Sequence, residues 1–213
     1  MTSNSGMKLL YMVALVGLTA GCNASDNNGD QDLPLVFELL GTAFATPGSD
    51  GTIGISLNES GQNRLYDTAT GNGVAYKIGV NNSGSMRAYS GLLEGSDVVA
   101  PPKTGTATMT GRFALYGADR IRRVRDRTSW YEYRDSGNVK LVADFANGTL
   151  KSQGGDLGVN GKFSGKTMTG TVKYNGIDGQ LKGLVGENQT VGAFHGYSEA
   201  QAEVYTGGFI AER

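Results

Sequence analysis

The chain is poor in the residues on which most site chemistry depends. Its 213 residues include one cysteine and one histidine. A single cysteine excludes an internal disulfide and any Cys-x-x-Cys metal site, and a single histidine excludes every histidine-pair site. His195 is the only imidazole available as a base, and no Gly-x-Ser-x-Gly elbow presents a serine to it. The chain is therefore read as non-enzymatic, with no metal. Charge of one sign is also missing: 19 Lys+Arg stand against 20 Asp+Glu, a net charge of -1. Electrostatic recruitment of nucleic acid is thereby excluded. Gly165-Lys166-Thr167 lacks the glycine a phosphate loop needs at 160, where Asn160 stands. Gly154-Gly155-Asp156 resembles a calcium repeat only once and has no stacked neighbour. With only 4 prolines but 34 glycines, long helices are disfavoured, since each interior glycine costs about 1 kcal/mol against alanine.

What is present begins with an address. Lys8 precedes the apolar run Leu9 to Ala20, and Leu18-Thr-Ala-Gly-Cys22 follows. A positive start, a short apolar stretch and small residues before the cut make a secretory signal. The stretch is too short to span a bilayer comfortably. Leu-x-Ala-Gly-Cys resembles the bacterial lipobox, whose cysteine is acylated and becomes the new amino terminus. Residues 1–21 are thus expected to be a lipoprotein signal peptide and Cys22 the acylated (palmitate-bearing) residue. Asn23, not Asp, follows the cysteine. By resemblance to Gram-negative sorting, that favours the outer membrane, with the cell surface preferred to a periplasm-facing position. Residues 22–32 are almost wholly polar and read as a disordered tether.

Beyond the tether the signals are those of strands. Ala107, Met109, Gly111 and Phe113 alternate with Thr106, Thr108, Thr110 and Arg112, the period of two of a half-buried strand. Val139, Leu141, Ala143 and Phe145 repeat it, and Asn147-Gly148 marks a hairpin turn. Met168, Gly170, Val172 and Tyr174 share a face, and Asn175-Gly176 and Asp178-Gly179 read as turns after them. Short strands with glycine-rich turns predict an all-β sandwich or barrel. Residues 101–213 are expected to form the barrel. Residues 33–100, with weaker signals, are either a small handle or the first barrel strands.

Three segments resemble the β-barrel of bacterial transferrin-binding-protein-like surface lipoproteins. These are Ala143-Asp-Phe-Ala-Asn-Gly-Thr-Leu150, Gly161-Lys-Phe-Ser-Gly-Lys-Thr-Met-Thr-Gly-Thr-Val172, and Gly192-Ala-Phe-His-Gly-Tyr-Ser-Glu-Ala200 with Glu203 and Gly207-Gly-Phe209. The resemblance covers residues 140–213. His195 stands where the family usually has tyrosine, and Gln201-Ala202 lengthens the closing loop. It implies a single antiparallel barrel of about eight strands, with a small amino-terminal β handle as an option. The chain has no room for the paired lobes of the large iron receptors, so the transferrin-binding role does not carry over. Single-barrel members bind varied partners, including host proteins and haem.

The most distinctive local feature is 120–134. Arg120, Arg122, Arg123, Arg125, Arg127 and Arg134 share it with Trp130, Tyr131 and Tyr133. Arginine, tyrosine and tryptophan dominate interface hot spots, and arginine pairs bidentately with carboxylates. One reading is a partner-binding face for an acidic protein surface, a lipid head group or haem propionates. The other is a solvated strand pair whose arginines meet Asp119, Asp126, Glu132 and Asp135. His195 is the one candidate haem axial ligand, since one imidazole suffices; otherwise no cofactor is expected. The expected function is non-catalytic display of a protein-binding barrel, with nutrient or iron acquisition as a setting. The alternatives are a haem or small-ligand barrel and a structural envelope lipoprotein.

Overall fold

The computed structural model describes residues 39–125 and 127–213. The signal segment 1–21, Cys22, the tether 22–32 and the start of the 33–100 region lie outside the described residues.

The described chain is all-β, with twelve strands in two sheets. β1 (Leu40–Phe44), β2 (Asn58–Tyr66), β3 (Gly73–Val80) and β4 (Met86–Leu92) form a four-stranded sheet in the order β1-β4-β3-β2. β1 pairs β4 in parallel, Leu40 opposite Met86, and the other pairs are antiparallel. The 33–100 region thus supplies a handle sheet, not barrel strands. The barrel comprises β5 (Thr106–Val124), β6 (Arg127–Asp144), β7 (Thr149–Ser152), β8 (Leu157–Ser164), β9 (Thr167–Tyr174), β10 (Ile177–Val185), β11 (Gln189–Ser198) and β12 (Glu203–Glu212). Each strand pairs the next, and β12 returns to β5 with Ala211 opposite Gly111. This is an eight-stranded antiparallel barrel closed between its first and last strands, which removes the sheet edges along the paired length.

The period of two decides what fills it. Met109 and Phe113 of β5, Leu141 of β6, Met168 and Val172 of β9, Phe194 of β11 and Phe209 of β12 all point inward and are buried. An eight-stranded barrel is just wide enough for its side chains, and the interior is filled with them. The alternate residues of β5, β11 and β12 are apolar too: Tyr116, Ala118, Val191, Ala193, Val204 and Ile210 meet Val74, Tyr76, Ile78, Met86 and Ala88 of the handle. That explains why β11 and β12 are buried along almost their whole lengths: one face lines the barrel and the other carries the handle. Each fully buried large apolar side chain contributes roughly 1.5–3 kcal/mol, so this seam fixes the handle firmly.

Two glycine signals separate in the structure. Asn175 and Gly176 turn at φ 48° and 82° between β9 and β10, as a two-residue hairpin requires. Asp178-Gly179, expected as a further turn, lies inside β10 opposite Lys173 and Val172. Gly179 serves packing instead. A Cβ there would sit 2.5 Å from the Tyr205 hydroxyl, which crosses to donate to the Ile177 carbonyl at 3.1 Å.

Candidate binding hairpin and buried histidine

β5 and β6 are far longer than the other barrel strands, and their distal halves project as a hairpin beyond the barrel mouth. β12 pairs β5 only as far as Ala118, and β7 pairs β6 only from Leu141 to Asp144. The hairpin closes with Val124 opposite Arg127, and Arg125 turns at φ 56°. The register shifts between Asp119 and Arg122, so that Arg120 and Ile121 oppose Trp130 alone. Arg120 adopts φ 50° there, the extra residue of a β-bulge. An arginine in the left-handed region costs about 1–2 kcal/mol, and such strain collects at functional sites.

The bulge sorts the residues of 120–134 between two faces. Ile121 is fully buried against the handle, with half-buried Trp130 packed against the same cluster. Thr128 donates its hydroxyl to the Gly84 carbonyl at 2.5 Å, and Arg123 lies against that same turn. Arg134 stacks on Tyr116 at 5.0 Å. Ile121, Trp130, Thr128 and Arg123 fasten the hairpin to the handle, while the Arg134–Tyr116 contact lies between β5 and β6 themselves. On the opposite face Tyr133, half-buried, covers Gly117 and donates to Glu203 at 2.5 Å. Burial first, and the Glu203 carboxylate next, push its phenol far up, so it stays a neutral donor. Beyond it the face is open. Arg122, Arg125 and Arg127 are exposed, Tyr131 is 64% exposed with Arg120 stacked over it at 5.1 Å, and Val124 is 47% exposed.

The electrostatics of this hairpin are unusual in who pairs with whom. Tyr116 donates to Glu132 at 2.5 Å, joined by the Trp130 indole N–H at 3.3 Å. Tyr174 donates to Asp135 at 2.7 Å. Among the described residues, the ion pairs are Lys166–Asp97 at 2.9 Å and Lys173–Asp178 at 3.9 Å, both away from the hairpin. Neutral phenols have taken Glu132, Asp135 and Glu203, and Arg122, Arg125 and Arg127 are left exposed. The strand pair expected from the sequence is present, but its arginines do not meet Asp119, Glu132 or Asp135; Asp126 lies outside the described residues.

Two substitutions test this division. Trp130→Ala is expected to lower stability by about 1–2 kcal/mol, a fraction of a fully buried aromatic's loss, with the midpoint of denaturant unfolding as the measure. Arg125→Gly relieves the left-handed strain and is expected to raise the melting temperature by about 3 °C, from roughly 1 kcal/mol in a chain of this size. A drop in melting temperature would show that Arg125 supports the fold.

His195 lies elsewhere. It sits on the outer face of β11, under β1, and is 2% exposed. The Phe44 ring packs on it at 4.4 Å, tilted by 59°, and the Lys182 ammonium lies over the same Phe44 ring at 4.7 Å. Neither imidazole nitrogen has a hydrogen-bond partner among the described residues. Burial first, and the Lys182 charge second, lower its pKa from 6.5 to about 4. Ligation of a haem iron by this imidazole would require β1 to lift from the barrel.

An all-β protein of this plan, a filled eight-stranded barrel carrying a handle sheet, has the architecture that the sequence resemblance implies. No family model matches the chain, and no curated protein matches it in sequence. Among solved structures it is similar to transferrin binding protein B of Actinobacillus pleuropneumoniae, with a TM-score of 0.45 and 12% identity over 73% of this chain and 82% of that one. It is similar also to transferrin binding protein B of Haemophilus parasuis, with a TM-score of 0.45 and 13% identity over 72% of this chain and 37% of that one. A third is HpuA of Kingella denitrificans, solved in complex with human haemoglobin, with a TM-score of 0.35 and 14% identity over 66% of this chain and 55% of that one. The chain thus spans about a third to half the length of the last two. These similarities concern fold.

Proposed function

We propose that this protein is a lipid-anchored outer-membrane lipoprotein that binds a protein partner through the open face of its β5–β6 hairpin. The observation that carries the proposal is the pairing just described: phenols cap Glu132, Asp135 and Glu203, while Arg120, Arg122, Arg125 and Arg127 stay exposed beside Tyr131. Exposed arginines clustered beside a tyrosine are hot-spot chemistry. The guanidiniums fit a carboxylate-bearing protein surface bidentately. The filled interior favours binding by this outer surface over binding inside the barrel. The signal segment with Cys22 supports the anchor, since acylation with more than one chain holds a protein stably at a bilayer, and the polar tether gives the barrel reach.

The test has two arms. Protease added to intact cells is expected to remove the barrel, and Cys22→Ser is expected to move the protein from the membrane to the soluble fraction. The full chain in detergent, immobilised, is then offered serum, purified transferrin and purified haemoglobin. Retention of a protein, lost in moderate salt, supports the reading. Protection from protease on intact cells, with no protein retained, contradicts it in favour of an inward-facing envelope role.

A further inference from the structure

The free edge of β6 adds a second means of recognition to that hairpin. β7 is four residues long, so β6 has a neighbour on that side only at Leu141–Asp144. One further bond follows, from the Gln153 N–H to the Lys140 carbonyl at 2.8 Å. Lys140 therefore turns its backbone groups toward the β7 side. The bulge lies on β5, so β6 keeps its alternation, and the backbone groups of Asn138, Ser136, Arg134, Glu132, Trp130 and Thr128 face the same way. Of these, the Ser136 N–H is taken by its neighbour Asp135 at 2.8 Å. The others have no backbone partner among the described residues. No described residue of β6 from Arg127 to Asn138 is buried. An edge strand of this length, roughly 34 Å from Thr128 to Asn138, is a template for pairing that proteins ordinarily shorten or cover.

We infer that this edge accepts an extended, acidic segment of the protein partner as an added strand beside β6. The inference rests on the reading of the hairpin as a binding surface and names how it binds. Charge chooses the occupant. A strand laid against β6 places its alternate side chains beside Arg127 and Tyr131 on the open face, with Arg120 and Arg122 one strand further on. Arg134 awaits it on the other face. Carboxylates placed beside Arg127 on the open face and beside Arg134 on the other meet guanidiniums that form no ion pair among the described residues. Backbone hydrogen bonds supply the docking and the arginines supply the choice of sequence, which is the division of labour in strand addition. A cleft of about 300 Å³ beside Arg134 and Ser136, walled by Asn63 and Tyr76 of the handle, has room for a side chain from the handle-facing set.

The experiment uses the ¹⁵N-labelled full chain in detergent and a ten-residue peptide of alternating glutamate and valine. A second peptide carries N-methyl groups on every other amide. The first peptide is expected to slow exchange of the Trp130, Glu132 and Arg134 amide protons at least tenfold, and the methylated peptide to bind at least tenfold more weakly. Equal binding of the two peptides, binding with those amides unchanged, or no binding of either overturns strand addition. The first two outcomes leave the arginine surface standing. Replacing Arg120, Arg122 and Arg127 by glutamine separates the readings: if peptide affinity is then unchanged, the arginine surface fails and the edge remains. Protection of the same amides that grows with protein concentration, without peptide, would identify a second copy as the occupant and overturn the acidic partner.

Discussion

Exchanging Arg120, Arg122 and Arg127 together for glutamine is expected to weaken capture of the protein partner by roughly 100- to 1000-fold. Hot-spot residues each contribute about 2 kcal/mol or more, but less than additively when they share one partner surface. The melting temperature is expected to stay within about 2 °C of the parent. These three guanidiniums make no ion pair among the described residues, and surface changes away from such features usually cost less than about 0.5 kcal/mol. Arg120 adds a cation–π contact with Tyr131, and among the described residues that is the one stabilising contact removed. Titration calorimetry with the captured partner and a melt of each variant check both halves. Affinity lost together with the fold would mean that the arginines are structural. Affinity retained would move the contact surface elsewhere, with the open groove of about 810 Å³ lined by Thr110, Arg112, Asn138 and Lys140 as the next place to look.

The second large effect is a dependence of stability on pH carried by His195. Its pKa falls from 6.5 in the unfolded chain to about 4 in the fold, so between those values the unfolded state binds more protons. Stability therefore holds above pH 6.5, declines as pH falls toward 4, and levels off below that. The full difference is about 3 kcal/mol, or roughly 6–12 °C of melting temperature. Carboxylates give their own acid dependence, so the measurement is the difference between the parent and His195→Leu, a side chain that fits beneath Phe44. That difference is expected to move in favour of the leucine variant by the stated amount between pH 7 and pH 4. Parallel curves would show that the imidazole is solvated or partnered in solution.

The strand faces were legible because one residue in two decides them. Alternation alone puts Met109 and Phe113 on one face of their strand, with Leu141 and the pair Met168 and Val172 likewise on single faces, and those faces line the barrel. Asn175-Gly176 was legible as a turn because a two-residue hairpin demands its backbone, whereas Asn147-Gly148 closes a four-residue loop between Asp144 and Thr149 in which Gly148 takes the left-handed position at φ 60°. Asp178-Gly179 misled because the same dipeptide also serves where a neighbouring side chain, here Tyr205, needs the space of a Cβ. Sequence alone leaves residues 33–100 open between a handle and the first barrel strands. The handle's apolar residues are buried against β5 and against β11 and β12, the last two more than a hundred residues away in sequence, and β1 and β4 pair in parallel through a long connection, which local pattern does not report.

The hairpin was legible as a cluster but not as two faces. Eight residues, Arg120, Arg122, Arg123, Arg125, Arg127, Trp130, Tyr131 and Tyr133, were proposed together for the partner. The bulge at Arg120–Ile121 shifts the face of everything beyond it, and nothing in composition announces a bulge. Ile121, an aliphatic between arginines, hinted that one side of this strand is covered, but Val124 sits in the same setting and is 47% exposed. Arg123, Trp130 and Tyr133 serve the handle and the barrel mouth, while the remaining five point outward. The capping of Glu132, Asp135 and Glu203 by tyrosines depends on cross-strand and cross-barrel neighbours, Tyr116, Tyr174 and Tyr133, that only the register brings together.

The most direct test of the hairpin as a contact surface is photo-cross-linking on intact cells. A photoreactive residue is placed at Tyr131, on the open face, and in a second strain at Lys162 of β8, an exposed position away from it. The partner protein is expected to be captured from Tyr131 and not from Lys162. Adducts from Lys162 alone, or none from Tyr131 in cells that still bind the partner, would contradict the account.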